Sequence, residues 1–327
     1  MSWDLLSGHP SQKVKEKQVN QLNYDMQFKP KKIFVSGGAS YNAVICLDDF
    51  FEPKPQTIHS CDYNETIGNT GAGKALGLSK LGFDTTLHTL LGEDDYATKV
   101  KSYLDLPNLD ILADIDPKGT ERHLNILNSN GERISIFTNP SSDNPDIDFE
   151  RYRNNIQSSD FVVINISNYC RNFLPICKEL NKLVWTDLHD YDGSNTYHQD
   201  FIDASEYIFF SSENLKGYKS FMVQMIDSGK KLVVCTHGSD GATAFTHKKE
   251  WIYEPALLDF ELVNSNGAGD SFFAGFMYAF SKSKSVKQCM HYATLVAAMC
   301  VNSNGIVSNA LDEEKLENAY TTYFGER

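Results

Sequence analysis

Short runs of uninterrupted apolar residues, separated by stretches with helical spacing, do most to limit how this chain can fold. Residues 161–164 form such a run, which is typical of a strand that is buried on both faces. Residues 286–301 show helical spacing, with apolar residues along one face. The alternation predicts an α/β fold in which a mostly parallel sheet is covered by helices on both faces. The predicted strands span 33–35, 85–91, 161–164, 183–187, 207–210 and 232–236.

Two segments break this alternation and predict a second, smaller sheet. Residues 120–138 contain two strand-like stretches around Asn130-Gly131, a dipeptide that favours a tight hairpin turn. Residues 43–67 contain further strand-like pieces, interrupted by Pro53 and Pro55. We expect the two segments to form a small antiparallel lid over the main sheet. A hairpin without a functional role is the alternative.

Composition restricts the class of protein. The 327 residues carry a net charge of −13, which argues against nucleic acid or an anionic membrane surface as a partner. No apolar run approaches the ~20 residues of a membrane span, and the N-terminus lacks the apolar core of a secretion signal. The seven cysteines form no CxxC pair, which favours buried thiols in a reducing cytoplasm over a disulfide framework.

A glycine-rich turn at 264–270 carries the strongest functional signal. Apolar residues recur at helical spacing from Phe272 onwards, so the turn stands where a loop becomes a helix. The first amides of a helix have no partner within it and favour negative charge, so this turn can hold a phosphate or a phosphoryl group in transfer. Asp270 at its rim could accept a proton from an attacking hydroxyl. Ordinary helix capping is the alternative role for Asp270.

The segment Gly267-Ala268-Gly269-Asp270 resembles the signature of the PfkB/ribokinase family of sugar and nucleoside kinases. The resemblance implies that Asp270 is the catalytic base and that the amides of Gly267, Ala268 and Gly269 form an anion hole. Asn264 stands where the family has an aspartate that organises the magnesium and phosphate region. The family's ribokinase-like fold implies one kinase domain at 31–327, preceded by an extension at 1–30, with lid segments at about 43–67 and 120–138 covering the acceptor.

Further stretches within 31–310 extend the resemblance. Residues 68–92 are similar to the family's first signature, a glycine-rich turn followed by a helix and a strand. Residues 236–241 resemble the Thr-x-Gly-x-x-Gly turn beside the ATP phosphates, and 301–305 lies where the family places the adenine. The nucleotide-binding residues that this implies are Thr236, Gly238, Gly241, Asn264, Asn302 and Gly305.

The sequence departs from the family pattern at acceptor and metal contacts. Asn42 stands where the family usually has a sugar-binding aspartate, and Gly73 stands where it has an asparagine. The Asn-x-x-Glu motif near magnesium falls at 211–214, where Glu213 lies one position from the expected glutamate. Asp187, at a strand end, is a second magnesium candidate. The residues expected to bind the acceptor are Asn42, Gly71, Gly73, Lys74 and Arg133.

Residues 68–75 also come close to a P-loop, the Gly-x-x-x-x-Gly-Lys-[Ser/Thr] motif that holds nucleotide phosphates. Ala75 replaces the hydroxyl residue that would ligate magnesium, and the preceding stretch 59–66 is too polar for a buried strand. If this turn instead faces the acceptor, Lys74 is either a solvated helix residue or a contact for an anionic group on the substrate.

The function that these features favour is transfer of the γ-phosphoryl group of ATP, with Mg²⁺, to a hydroxyl of a small sugar. A nucleoside is the alternative acceptor. A ligand-binding relative without turnover and a P-loop NTPase are alternatives of other classes. We expect a cytoplasmic protein whose binding partner is a small-molecule acceptor. A homodimer could form through the exposed edge of the lid.

Overall fold

A computed structural model describes residues 30–129 and 132–325. Residues 1–29, nearly all of the predicted extension, lie outside the described residues, as does the predicted Asn130-Gly131 turn. All seven cysteines lie in the described part of the chain and all are free thiols, five of them buried, as their spacing predicts. Within the described ranges, no helix has the length and apolar character needed to cross a membrane.

The main sheet draws strands from almost the whole described chain. Its nine described strands run in the order β13-β12-β11-β10-β9-β8-β1-β4-β5. Neighbours pair in parallel except β11–β12 and β12–β13, which are antiparallel, so the predicted mostly parallel sheet is confirmed. In chain order the strands are β1 (Lys32–Ser36), β2 (Ser40–Cys46), β3 (Asp62–Gly68), β4 (Asp84–Leu91), β5 (Leu109–Ile115), β6 (Arg122–Leu127), β7 (Arg133–Asn139), β8 (Phe161–Ile164), β9 (Val184–Asp187), β10 (Ser205–Ser211), β11 (Leu232–Thr236), β12 (Ala242–Thr246) and β13 (Trp251–Glu254).

Helices cover both faces of this sheet, as predicted. Ile33 and Val35 lie in one apolar core, whereas Phe34 between them lies in the other, because successive strand residues point to opposite faces. Burial on both faces explains why these strands are continuously apolar in sequence. The described α-helices are α1 (Thr70–Lys80), α2 (Asp95–Tyr103), α3 (Arg153–Ser158), α4 (Phe173–Glu179), α5 (Gln199–Ala204), α6 (Tyr218–Asp227), α7 (Ala268–Ser281), α8 (Val286–Val301) and α9 (Glu313–Phe324).

The small sheet has four described strands in the order β3-β2-β6-β7. Its two outer pairs are antiparallel, but β2 and β6 at its centre run parallel. The prediction of a small sheet built from two insertions is confirmed, and the expectation of purely antiparallel pairing is wrong for the central pair. The reason is topological: β2 follows β1 and β6 follows β5, and β1 and β5 run in the same direction in the main sheet.

Candidate active site

The predicted anion hole forms the start of α7. Gly267 precedes the first turn with a φ of 82°, in the left-handed region. A β-carbon at Gly267 would overlap the carbonyl group of Ile306, so a side chain cannot be accommodated there. The amide of Ala268 donates to the carbonyl of Ser265 at 3.3 Å, and no side chain caps this helix start. The turn therefore presents a helix N-terminus to an approaching anion.

Asp270 lies in the first turn of α7, with 15% of its side chain exposed. Its Oδ1 accepts hydrogen bonds from Thr70 Oγ1 at 2.7 Å and from Lys74 Nζ at 2.5 Å. Its Oδ2 lies over Gly73, where a β-carbon would stand only 2.6 Å away. An asparagine at position 73 would collide with this carboxylate. Gly73, where the family has an asparagine, lets the carboxylate lie against α1.

Lys74 lies in an environment that its sequence context does not predict. Its side chain is fully buried, so the expectation of a solvated helix residue is wrong. Nζ donates to Asp270 Oδ1 and Thr70 Oγ1, each at 2.5 Å, and to Asp187 Oδ2 at 3.0 Å, so protein groups satisfy all three donors of the ammonium. The P-loop hypothesis is wrong as well, because β3, the strand before α1, belongs to the small sheet and not to the main one.

Charges in this buried cluster stabilise one another. Burial alone would lower the pKa of Lys74, but the carboxylates of Asp187 and Asp270 outweigh burial and hold that pKa above its ordinary value. Burial would likewise raise the pKa of Asp187, but the Lys74 ammonium and His189 hold it well below its ordinary value. Lys74 and Asp187 are therefore both charged at neutral pH.

Sequence reasoning missed a polar cluster where the small sheet meets α1. Asn69 caps α1 through Oδ1, which accepts from Thr70 N at 2.7 Å, while its Nδ2 donates to Glu121 at 3.0 Å. Glu121 also pairs with His123 Nε2 at 2.6 Å. The predicted residue Asn42 joins this cluster, since its Oδ1 accepts from the His123 amide at 3.0 Å. The Glu-x-His spacing was a usable signal, because strand residues two apart share one face.

A hydrogen-bonded chain ties the start of α1 to the main sheet. Thr70 Oγ1 lies 3.2 Å from Asn165 Oδ1, and Asn165 Nδ2 donates to the carbonyl of Ser36 at 2.9 Å. Gly71 approaches Gly37 so closely that a β-carbon at Gly71 would overlap the Gly37 backbone. Gly71 therefore permits the close packing of α1 against the end of β1, and its contact with an acceptor stays a prediction. No motif pointed to Thr70 or Asn165.

The predicted nucleotide-binding residues lie on two stretches of chain. Thr236 ends β11, and Gly238 and Gly241 follow it with φ values of 58° and 99°, which favour glycine. The amide of Asn264 donates to the carbonyl of Val301 at 3.0 Å, which joins the loop before α7 to the end of α8. The last two residues of this set, Asn302 and Gly305, lie just after the end of α8. The contacts of all six residues with a nucleotide stay predictions.

The two predicted magnesium ligands have different environments. Glu213 is exposed, and the neighbouring Ser212 amide donates to the Thr236 carbonyl at 3.0 Å, so Glu213 lies beside the predicted phosphate turn. Asp187 already carries the ion pair with Lys74. In residues 30–129 and 132–325, no group of three or more His, Cys, Asp and Glu side chains could hold a metal ion. The contributions of Glu213 and Asp187 to magnesium binding stay predictions.

Arg133 connects the small sheet to the anion-hole turn. It is exposed on β7, and its Nη1 donates to Asn266 Oδ1 at 2.5 Å. The amide of Asn266 in turn donates to Asn264 Oδ1 at 2.8 Å. Through this contact the small sheet reaches across to the loop that precedes α7. The predicted contact of Arg133 with an acceptor stays a prediction.

Sequence comparison decides the family. Residues 31–313, most of the 327-residue chain, match the pfkB family carbohydrate kinase. The chain belongs to the pfkB family. Membership confirms the resemblance carried by the Gly267-Ala268-Gly269-Asp270 signature, and it agrees with the rejection of a P-loop NTPase on topological grounds.

Curated relatives in the pfkB family include sugar and nucleoside kinases. An acarbose 7(IV)-phosphotransferase of Actinoplanes sp. is 24% identical over 292 residues, covering 87% of this chain and 96% of its own length. A nucleoside kinase of Methanothermobacter thermautotrophicus is 24% identical over 310 residues, covering 90% of this chain and 97% of its own length. The protein is therefore a sugar or nucleoside kinase, a phosphotransferase that acts on a hydroxyl group.

Solved structures confirm the ribokinase-like fold of this pfkB family member. A microbiome-derived acarbose kinase superimposes with a TM-score of 0.79 at 24% identity, covering 89% of this chain and 98% of that chain. Arabidopsis thaliana ribokinase, complexed with ribose and ATP, gives a TM-score of 0.72 at 19% identity, with coverages of 89% and 98%. Kinases of the pfkB family use ATP as a substrate, so ATP is the expected phosphoryl donor here.

Proposed function

We propose that this protein transfers the γ-phosphoryl group of ATP to a hydroxyl of a small sugar, with Asp270 as the general base. The observation that carries the proposal is the position of Asp270. Its carboxylate lies in the first turn of α7, directly after the glycine turn, and Thr70 and Lys74 hold its Oδ1 in place. A positioned base beside a helix N-terminus is the arrangement that hydroxyl phosphorylation needs.

Stabilisation of the transferring group falls to the turn itself. The amides of Gly267, Ala268 and Gly269 stand at the N-terminus of a 14-residue helix, where the helix dipole favours negative charge. In the transition state, negative charge is spread over the three equatorial oxygens of the transferring group, so these donors can stabilise that charge. In this mechanism the acceptor O–H bond breaks as its proton moves to Asp270, while the acceptor oxygen bonds to phosphorus and ADP leaves.

Acceptor binding is assigned to the polar cluster at the small sheet. Asn42 is 2% exposed and Glu121 is 4% exposed, yet both lie next to the capped start of α1. Buried amide, carboxylate and imidazole groups can read sugar hydroxyls through paired donors and acceptors. A small sheet above them would also exclude water, which competes with the acceptor for the phosphoryl group.

Magnesium would be held mainly by the phosphates of ATP. An exposed carboxylate such as Glu213 fits this ion, which prefers oxygen ligands and keeps several waters. Bound magnesium would neutralise charge on the donor phosphates. Glu213 lies beside the Thr236 turn, whose proposed role is to contact those phosphates.

The test is ADP formation by the wild-type protein against a panel of monosaccharides, oligosaccharides including acarbose, and nucleosides. We expect turnover with a sugar. Turnover with nucleosides alone would replace the sugar by the alternative acceptor class. No turnover across the panel, together with calorimetric binding of a sugar, would support a ligand-binding relative that has lost the reaction.

Arg133→Ala should raise the KM for the acceptor about two- to fivefold, while kcat changes less than twofold. The substitution removes the contact with Asn266, and an exposed charge-assisted bond is worth about 0.5–1 kcal/mol. Without this contact, the arrangement in which the small sheet covers the acceptor is less populated. The apparent affinity for the acceptor then falls in proportion. Steady-state kinetics measure both constants. Arg153→Ala, which removes a half-buried arginine on α3 that pairs with Glu150, is the matched control. An unchanged KM would show that this contact has no role in closure.

A further inference from the structure

Lys74, which binds Oδ1 of the proposed base, also binds a second buried carboxylate. Lys74 Nζ lies 2.5 Å from Asp270 Oδ1 and 3.0 Å from Asp187 Oδ2, and the lysine side chain is fully buried. These residues come from three elements, since Lys74 lies in α1, Asp187 ends β9 and Asp270 lies in α7. One ammonium therefore bridges two carboxylates that are far apart in the chain. An ammonium enclosed in this way has no free hydrogen-bonding face for an acceptor.

We propose that Lys74 is a positioning residue that fixes the rotamer of Asp270, so that the acceptor proton is delivered to Oδ2. The inference rests on the proposed function. Lys74 and Thr70 both bind Oδ1. Oδ2 lies against Gly73, whose missing side chain makes room for the carboxylate. In this proposal Oδ1 is the oxygen that Lys74 and Thr70 anchor, and Oδ2 is the oxygen that takes the proton.

The charge of the cluster supports the same assignment. With both carboxylates ionised, one lysine and two aspartates carry a net charge of −1. When Asp270 accepts the acceptor proton, the cluster becomes neutral and Lys74 keeps its ion pair with Asp187. Uncompensated charge in a buried site is costly, so proton uptake relieves an unfavourable charge. Lys74 therefore needs a second carboxylate partner. Without Asp187, proton uptake by Asp270 would leave the buried ammonium unpaired.

The other groups around Asp270 do not replace Lys74. Cys300 approaches from α8, and burial raises the pKa of its thiol to about 11, so it stays neutral. His189 Nδ1 lies 3.8 Å from Oδ2 of Asp187, the other carboxylate of the cluster. Thr70 is uncharged. Lys74 is thus the cation that the described surroundings supply to Asp270.

The experiment compares Lys74→Met with the charge-balanced double variant Lys74→Met/Asp187→Asn. We expect Lys74→Met to lower kcat by about 10²-fold, the usual effect of misplacing a catalytic group by about 1 Å, with the KM for the acceptor within twofold. It should also lower Tm, because two buried carboxylates lose their counter-ion. The double variant should recover most of the Tm but not the kcat. Lys178→Met, an exposed lysine on α4, is the control.

Three results would overturn the proposal. Recovery of kcat together with Tm in the double variant would mean that Lys74 serves folding alone. A raised KM with unchanged kcat would make Lys74 an acceptor contact. Additive losses of Tm in Lys74→Met, Asp270→Asn and their combination would show that the two side chains are not coupled. This last measurement needs no turnover, so it tests the pairing even if the wild type is inactive and the proposed function has failed.

Discussion

Asp270→Asn is expected to lower kcat by about 10²–10⁴-fold, the usual contribution of a positioned general base. The amide has the same shape as the carboxylate, so it can still accept a hydrogen bond from Thr70, and the fold should persist. It cannot take up a proton from the acceptor at neutral pH. Binding of ATP should be little changed, because the amides of the glycine turn are not altered.

The measurement is steady-state kinetics with whichever acceptor the wild type uses, and ATP affinity is determined by calorimetry. Asp110→Asn, an exposed aspartate on β5, is the matched control and should behave as the wild type. Retention of more than a tenth of kcat in Asp270→Asn, with intact ATP binding, would mean that another group takes the proton. A joint loss of ATP binding and Tm would instead assign Asp270 a structural role.

Gly267→Ala is expected to lower kcat by about 10²-fold and to lower Tm as well. The residue has a φ of 82°, and an L-residue in the left-handed region costs roughly 1–2 kcal/mol. The added methyl group would also overlap the Ile306 carbonyl, so the turn must move. A shift of about 1 Å in amides that stabilise the transferring group is enough for a loss of this size.

Gly229→Ala measures the effect of such backbone strain alone on Tm. Gly229 has a φ of 100°, but a β-carbon there meets nothing within 4 Å, so this variant carries the backbone strain without the overlap. We expect a small drop in Tm and unchanged kcat for Gly229→Ala. Equal kcat in Gly267→Ala and the wild type would show that the turn adjusts freely, and that its amides are not fixed in the way the proposed mechanism requires.

The fold was predictable to the extent that its signals are local. Runs such as 161–164 are apolar because both faces of the strand are buried, and that property is visible in any short window of sequence. The parallel pairing of β2 with β6 was not predictable, because it joins Ala43 to Leu124 and depends on the direction in which two separate insertions leave the main sheet.

The candidate site likewise has one part that neighbouring residues predict and another part that depends on the tertiary fold. The helix start at Gly267 and the position of Asp270 follow from neighbouring residues, so the motif alone located them. Burial of Lys74 depends on Asp187 and Asp270, which lie 113 and 196 residues further along the chain. A lysine on a helix is normally solvated, and only the tertiary fold reveals its two carboxylate partners. The contact between Glu121 and Asn69 was hidden for the same reason.

In the proposed mechanism, acceptor recognition and phosphoryl transfer belong to different sheets. The polar groups assigned to the acceptor lie in and beside the small sheet, at Asn42, Glu121 and His123, whereas the assigned base and anion hole lie on a helix that packs on the main sheet. Substitutions in β2 and β6 can therefore change which molecule is phosphorylated without altering the start of α7. An engineered change of substrate would therefore begin in those same two strands.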